Sequence, residues 1–306
     1  VKCLVTGGAG FIGSHLVDRL VLEGHEVVVL DDLSHGTRRN VNRDAKLVKM
    51  DIRSPKVAAR LKRMRPQAVF HLAAQMEVRR SVEDPMYDAD VNILGMVNVL
   101  QAAVAAGCPR VYFASSGGAV YGEQSVFPAT EEHPTRPLSP YGVTKRAGEL
   151  YCDYFATLGL RCACLRLANV YGPRQDPHGE AGVVAIFASK MLAGQTATVN
   201  GTGKQTRDYV FVDDVVDAFI AALTRDLEGP YNVGTGVETD VNRLFELLAA
   251  ETGFSGHAVH GPAKEGEQMR SVISAERLTQ AADWEATTLL PAGLKRTVEW
   301  FRTKRR

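Results

Sequence analysis

The chain has 306 residues, 45% of them hydrophobic, which suffices for one large α/β domain or a domain with a smaller lobe. Its 36 basic residues balance 35 acidic ones, so composition gives no long-range pull toward nucleic acid or an anionic membrane. The five cysteines (Cys3, Cys108, Cys152, Cys162, Cys164) sit in apolar stretches without C-x-x-C spacing, and they read as reduced packing residues with no metal site expected. No apolar run reaches the ~18 residues of a membrane span. The first residues run straight into a strand pattern without a leader, so a cytoplasmic protein is expected.

Short β-branched runs alternate with helical patterns from the start. Cys3–Val5 precedes a helix over Ile12–Glu23, and Glu26–Leu30 is the second strand. Lys46–Met50, Ala68–Leu72, Arg110–Ala114 and Cys162–Leu167 continue the strand series. Helices are predicted between them at Pro55–Met64, Pro85–Ala106 and Pro140–Leu158. Strands joined by helix-length crossovers imply an α/β fold with a doubly wound parallel sheet. After Asn169 the chain turns to glycine- and proline-rich loops with shorter elements. The predicted division is therefore 1–168 and 169–306. A smaller C-terminal lobe fills the second part, and elements near 208–235 return to the main sheet.

Gly7-x-x-Gly10-x-x-Gly13 lies between the first strand and the first helix. Glycines there let the backbone turn tightly and approach a pyrophosphate, whose charge meets the helix's N–H groups. Asp31 ends the second strand, where a carboxylate accepts hydrogen bonds from the adenosine ribose and repels a 2′-phosphate. NAD is favoured over NADP. Asp51, after the third strand, is a candidate partner for the adenine amino group or an ordinary turn residue.

Tyr141 and Lys145 are four residues apart and share one face of a helix. The pair gains meaning behind Ser139-Pro140 and after a strand ending in Ala114-Ser115-Ser116. A phenol is a poor base at neutral pH. A nearby ammonium together with an oxidised nicotinamide favours the phenolate, and a serine hydroxyl relays the proton.

At these residues the chain resembles the extended short-chain dehydrogenase/reductase family, and within it the UDP-glucose 4-epimerase type. The motifs are Thr6-Gly7-Gly8-Ala9-Gly10-Phe11-Ile12-Gly13, Asp31-Asp32-Leu33-Ser34, His71-Leu72-Ala73-Ala74-Gln75, Tyr141-x-x-x-Lys145, Asn169-Val170-Tyr171-Gly172-Pro173-Arg174 and Arg207-Asp208-Tyr209-Val210-Phe211-Val212-Asp213-Asp214. The resemblance covers nearly the whole chain and implies a Rossmann sheet and an NAD-dependent isomerase acting on a UDP-sugar.

The resemblance also implies residue roles. NAD would be bound by Gly7, Gly10, Phe11, Ile12, Gly13, Asp31, Asp32, Asp51, Ile52, Leu72, Ala73, Ala74, Gln75, Asn92 and Ser115, with Tyr141 and Lys145. Tyr141 would take the proton of the sugar 4-hydroxyl, with Ser116 as the neighbouring hydroxyl. The 4-keto sugar would then turn over on its diphosphate. Asn169, Arg207, Lys264 and Arg270 would contact that diphosphate. The segments Gly182–Ile186, with Val183 and Val184, and Thr198–Asn200, with Thr198 and Asn200, would hold the uridine. The helices Pro85–Ala106 and Pro140–Leu158 resemble a pair that builds a homodimer's four-helix bundle.

Three departures from the family pattern stand out. Gly117 occupies the place of a hydroxyl residue, which shifts the relay to Ser116 or water. Lys264 stands where an arginine is common. Ser271 falls on the position that gates sugar size, and its small side chain leaves room for an N-acetyl group. UDP-N-acetylglucosamine and UDP-glucuronate are alternative substrates, the latter because Arg79, Arg80, Arg174 and His178 lie on loops within reach of a C6 carboxylate. A nucleotide-sugar 4,6-dehydratase wants an Asp-Glu pair where Gly117-Gly118-Ala119 stands. A non-catalytic NAD-binding protein is the last alternative.

Overall fold

Val27-Val28-Val29-Leu30 is a continuous apolar run, as expected of a strand covered on both faces, and all four residues are buried. The computed structural model describes residues 1–178, 182–263 and 268–304. Its strands, in chain order, are β1 (Lys2–Thr6), β2 (Glu26–Asp31), β3 (Lys46–Lys49), β4 (Ala68–His71), β5 (Arg110–Ser116), β6 (Arg161–Leu167), β7 (Asn169–Tyr171), β8 (Thr198–Asn200), β9 (Thr206–Phe211), β10 (Gly229–Val233), β11 (Glu238–Asp240), β12 (Val259–Gly261) and β13 (Arg270–Ser271). Seven of them form one parallel sheet in the order β10-β6-β5-β4-β1-β2-β3. The doubly wound α/β expectation is met. The order reverses between β1 and β4, and that is where such sheets open a ligand crevice at their carboxyl ends.

Alternation along each strand sorts the core into two layers. Cys3, Val5, Val27, Val29, Phe70, Tyr112, Ala163 and Leu165 point to one face, packed against Leu16, Val17 and Leu20 of the helix Phe11–Leu22 and Val215 and Phe219 of Val212–Arg225. Leu4, Val28, Leu30, Val69, Val111, Phe113, Cys162 and Cys164 point to the other, where Leu61, Val99, Leu100, Cys152 and Phe155 meet them from the helices Lys56–Met64, Gly95–Ala105 and Pro140–Ala156. Cys162 and Cys164 thus share a face, as their spacing predicts, and all five thiols are free and buried.

The chain past β6 adds a second sheet, with β9 paired to β7, β11 and β13, and a short β8–β12 pair. A third apolar cluster joins these strands to the helices Val183–Leu192, Val241–Thr252 and Leu290–Lys304. β10 leaves this region and pairs with β6 at the edge of the main sheet.

One predicted helix is divided. Pro85–Ala106 is an α-helix over Pro85–Ala89, a π-helical turn over Asp90–Leu94 and an α-helix over Gly95–Ala105. The wide turn carries Asn92, whose amide clasps the Gln75 backbone: Gln75 N–H donates to Asn92 Oδ1 (2.8 Å) and Asn92 Nδ2 donates to the Gln75 carbonyl (2.9 Å). Such π turns concentrate at functional sites.

Phe70 lies at the centre of the sheet, fully buried and stacked with Tyr112 at 5.0 Å and edge-on to Phe219 at 6.1 Å. Phe70→Ala is expected to lower the unfolding free energy by about 3–5 kcal/mol, read from the denaturant midpoint.

Candidate active site

The glycine turn is shaped by contacts that a side chain would break. Gly7 has φ +70, and an ideal Cβ on it would stand 2.7 Å from the Ala73 nitrogen. A Cβ on Gly13 would stand 2.2 Å from the Gly7 carbonyl oxygen. The helix begins at Phe11, and its first intrahelical bond runs from Ser14 N–H to the Gly10 carbonyl (3.1 Å). The N–H groups of Phe11, Ile12 and Gly13 precede that bond and suit a diphosphate.

Asp31 accepts from Ala9 N–H (2.9 Å) and Leu33 N–H (2.8 Å), so it also pins the turn. Its burial pushes the carboxyl above the ordinary range, against those two bonds. Asp32 bonds Ser34. Asp51 is paired within its own turn: Arg53 Nε bonds both its oxygens at 3.0 Å and holds its carboxyl below the usual range. Arg53 reaches Asp90 as well, and the Ile52 carbonyl accepts from Asn98 (2.6 Å).

Across the crevice, Leu72–Gln75 leaves the end of β4 with Leu72 N–H on the Thr6 carbonyl and Ala73 N–H on Thr6 Oγ1. Ala74 follows, partly exposed. The Gln75 and Asn92 side chains turn inward. Gln75 Nε2 (2.8 Å), Asn92 Nδ2 (3.1 Å) and the Thr144 hydroxyl (2.9 Å) all donate to Asp88, a fully buried carboxylate.

The helix Pro140–Ala156 starts with Ser139 Oγ accepting from Gly142 N–H (3.2 Å) and Pro140 in its first turn. Tyr141 and Lys145 follow on one face, with the Lys145 ammonium 5.6 Å from the Tyr141 ring centre. Lys145 Nζ donates to the Ala114 carbonyl (2.8 Å) and lies 4.9 Å from the Phe113 ring centre.

Successive strand residues face opposite ways, and this separates the two serines. The Ser116 hydroxyl lies on the side of the half-buried Tyr141, near enough to the phenol to favour its ionised form. The Ser115 hydroxyl donates to Glu149 Oε1 (2.6 Å). Glu149 is buried and also takes Arg166 Nε (2.9 Å), Arg166 Nη2 (2.8 Å) and Arg146 (2.8 Å).

The protein alone leaves the phenol a weak acid, and the expectation of a phenolate included the charge of an oxidised nicotinamide. Burial pushes Tyr141 up to about 12, with the nearby Ser116 hydroxyl working the other way and Asp88 adding to the rise. Burial also brings Lys145 down to about 8, although Asp88 and Glu149 favour its charged form. Desolvation therefore outweighs the help of the neighbouring hydroxyl. Asp88, Thr144 and Glu149 were not singled out in the sequence. The available signal was a carboxylate four residues beyond Lys145 on the same helical face.

On the substrate side, Asn169 Oδ1 lies 3.8 Å from an ideal Cβ on Gly118, opposite the turn that follows Ser116. Arg207 on β9 pairs in register with the buried Ser271 on β13. Arg207 Nη1 donates to the Thr206 carbonyl (2.7 Å). Arg270 forks onto Glu238 (2.9 and 2.7 Å) and lies 3.7 Å from the Phe127 ring centre. Val183 and Val184 open the helix Val183–Leu192, while Thr198 and Asn200 bound β8. Lys264 lies outside the described residues.

The three arginines considered for a sugar carboxylate have other side-chain engagements. Arg79 bonds Glu83, Arg80 lies 4.3 Å from the Tyr87 ring centre and Arg174 bonds Asp18 (2.7 Å). Of His178, it is the backbone N–H that is engaged, donating to Asp176 Oδ1 (2.9 Å).

Residues 3–234 match the model of the NAD dependent epimerase/dehydratase family. The chain belongs to that family. A UDP-glucose 4-epimerase of Mycolicibacterium smegmatis is 47% identical over 311 residues, with 99% of each chain covered. Among solved structures, the UDP-glucose 4-epimerase of Thermotoga maritima with UDP-glucose superposes with a TM-score of 0.97 at 44% identity, covering 100% of both chains. The UDP-glucose 4-epimerase of Thermus thermophilus in complex with NAD gives 0.94 at 43% identity, covering 99% of both. The family cofactor, NAD, is the one Asp31 favours, and the glycine turn fits it: the Gly7 and Gly13 approaches leave no room for side chains beneath the diphosphate.

His71, in the segment leading to the crevice, is fully enclosed, with Nδ1 2.8 Å from Thr6 Oγ1. Burial, reinforced by the Lys145 charge, lowers its pKa to about 3. Between pH ~6.5 and ~3 the unfolded chain binds a proton there that the folded chain does not. Stability from this group is complete above pH ~6.5 and is lost as pH falls toward 3. Unfolding titrations of His71→Gln should accordingly show a shallower acid loss than the wild type.

Proposed function

We propose that the protein epimerises a UDP-hexose at C4, of the UDP-glucose and UDP-galactose type, with NAD tightly held throughout. The observation that carries this reading is the meeting of Ser116, Tyr141 and Lys145 at the carboxyl end of β5, with Asn169 opposite Gly118. Relatives that cover the whole chain at more than two-fifths identity are UDP-glucose 4-epimerases, which supports the substrate class.

In this reading Tyr141 accepts the proton of the sugar 4-hydroxyl, and Ser116 orients that hydroxyl and relays the proton. NAD bound in the crevice supplies the acceptor, and then the donor, of the C4 hydride. Lys145 supplies a fixed positive charge and a donor beside the ribose of the cofactor. The 4-keto sugar turns about its diphosphate while Asn169 and Arg207 hold that group; guanidinium forks match phosphate oxygens. Arg270 joins them on releasing Glu238, and Lys264 is the remaining cation. Val183, Val184, Thr198 and Asn200 hold the uridine. Ser271 leaves space beside C2, so an N-acetyl group is tolerated.

Residues 1–168 serve mainly the cofactor and residues 169–306 mainly the nucleotide-sugar. Five buried unpaired thiols suit a reducing cytoplasm. Among the described residues no helix is long and apolar enough to cross a membrane. Val143, Leu150, Tyr154 and Leu158 form an exposed apolar stripe along and just past Pro140–Ala156, with Leu94 and Met86 exposed on the neighbouring helical segments. A second copy of the chain covers that stripe in a homodimer.

Purified protein without added cofactor should interconvert UDP-glucose and UDP-galactose. No change at C4 in UDP-glucose, UDP-N-acetylglucosamine or UDP-glucuronate would sink the proposal, and their relative kcat/KM values rank the substrates. Tyr141→Phe should lower kcat by ~10²-fold or more and Ser116→Ala by less. An unchanged rate in the first variant reassigns the base. Leu150→Glu combined with Tyr154→Glu should halve the mass measured by light scattering, and a wild type that is already monomeric contradicts the dimer.

A further inference from the structure

Ser116 is the last residue of β5, and Gly117 opens the short helix Gly117–Val120. That turn is closely bounded on two sides. An ideal Cβ on Gly117 would lie 2.6 Å from Ile273 Cδ1 and 3.2 Å from the Arg166 carbonyl oxygen. On the other side, an ideal Cβ on Gly142, in the first turn of the helix that carries Tyr141, would lie 2.7 Å from the Ala119 carbonyl oxygen. The turn therefore stands between Ile273 and the catalytic helix. A push from the Ile273 side moves Ser116 and Ala119 relative to Tyr141.

Ile273 has little freedom to retreat. It is 1% exposed and packs with Val120, Tyr121 and Ala129. Its neighbours are tied on both sides: Ala129 N–H donates to the Val272 carbonyl (3.0 Å), Ser274 N–H to the Ala129 carbonyl (2.8 Å) and Val272 N–H to Gln124 Oε1 (3.0 Å). Its other flank meets Gly234, where an ideal Cβ would come within 2.7 Å of Ile273 Cγ1. Two glycines thus mark where this side chain fills the available space, and packed interiors transmit such displacements instead of absorbing them.

We propose that Ile273 is a positioning residue for the proton relay: through its contact with Gly117 it sets the separation of the Ser116 hydroxyl from the Tyr141 phenol. The inference rests on the C4 epimerase reading above. The same contact excludes a side chain at 117, so the hydroxyl presented to Tyr141 is that of residue 116.

The contact is tested by adding one methyl group and removing another. Gly117→Ala should lower kcat for UDP-glucose by about 10–100-fold, because a small misplacement of reacting groups is expensive, while KM changes little. Ile273→Val, which deletes the Cδ1 atom nearest to residue 117, should cost less than about threefold by itself. Gly117→Ala/Ile273→Val should then recover kcat to near the Ile273→Val value. In a Ser116→Ala background Gly117→Ala should add no further loss, since the group being positioned is gone.

Wild-type kcat in Gly117→Ala overturns the proposal, as does a double variant that regains its thermal midpoint but stays as slow as Gly117→Ala. If Gly117→Ala does not fold, Ile273→Ala takes its place. The gap it leaves beside the turn should lower kcat at constant KM, and an unchanged kcat overturns the inference. Failure of the underlying reading looks different: wild-type protein turns over no UDP-sugar, or Ser116→Ala is as fast as wild type.

Discussion

The ion pair between Glu149 and Arg166 fixes the helix that carries Tyr141 and Lys145 to the carboxyl ends of β5 and β6. Both side chains are about 3% exposed, and the arginine forks onto the carboxylate with two bonds below 3 Å. Burial opposes the carboxylate's charge, yet Arg166, Ser115 and Arg146 together hold Glu149 below its usual range. Such a pair adds little net stability over an apolar replacement, but losing one partner strands a buried charge at ~3–5 kcal/mol. What it contributes here is register. Glu149 lies one helical turn beyond Lys145, so fixing the carboxylate fixes the ammonium against Ala114 and the phenol against Ser116.

Asp88 makes a second buried anchor on the opposite flank. Its three donors come from Gln75 after β4, Asn92 on the π turn and Thr144 on the catalytic helix. One carboxylate thereby joins the cofactor crevice to the helix Pro140–Ala156; its charge adds to the rise that burial imposes on Tyr141 and partly opposes the drop that burial imposes on Lys145. The phenol near 12 follows from this arrangement. A single ammonium, donating to a backbone carbonyl, does not offset desolvation and a buried carboxylate.

The sheet was legible because its signals are local. Val27–Leu30, the Gly7, Gly10 and Gly13 spacing and the four-residue step from Tyr141 to Lys145 all lie within one or two elements, and the strand period alone separates Ser115 from Ser116. Side-chain partners were less legible. Arg270 takes Glu238 and Arg174 takes Asp18, choices set by three-dimensional proximity that spacing does not encode. The π turn was hidden because an ordinary helical pattern accommodates Asn92 equally well, and its partner, the Gln75 backbone, lies on another element. Gly117 was visible as a departure, but its cause, Ile273, lies on a segment that only the folded chain brings alongside.

The return of β10 to pair with β6 has a consequence for how the chain comes into being. Until Gly229–Val233 has been made, the far edge of the parallel sheet presents β6 with unpaired backbone groups, and the layer closed by Val212–Arg225 stays open to water. Contacts this distant in sequence form slowly, because the intervening loop must close before they give anything back. Synthesis therefore leaves the first half of the molecule incomplete for most of its duration. A cut after residue 168 yields an exposed edge instead of a smaller enzyme.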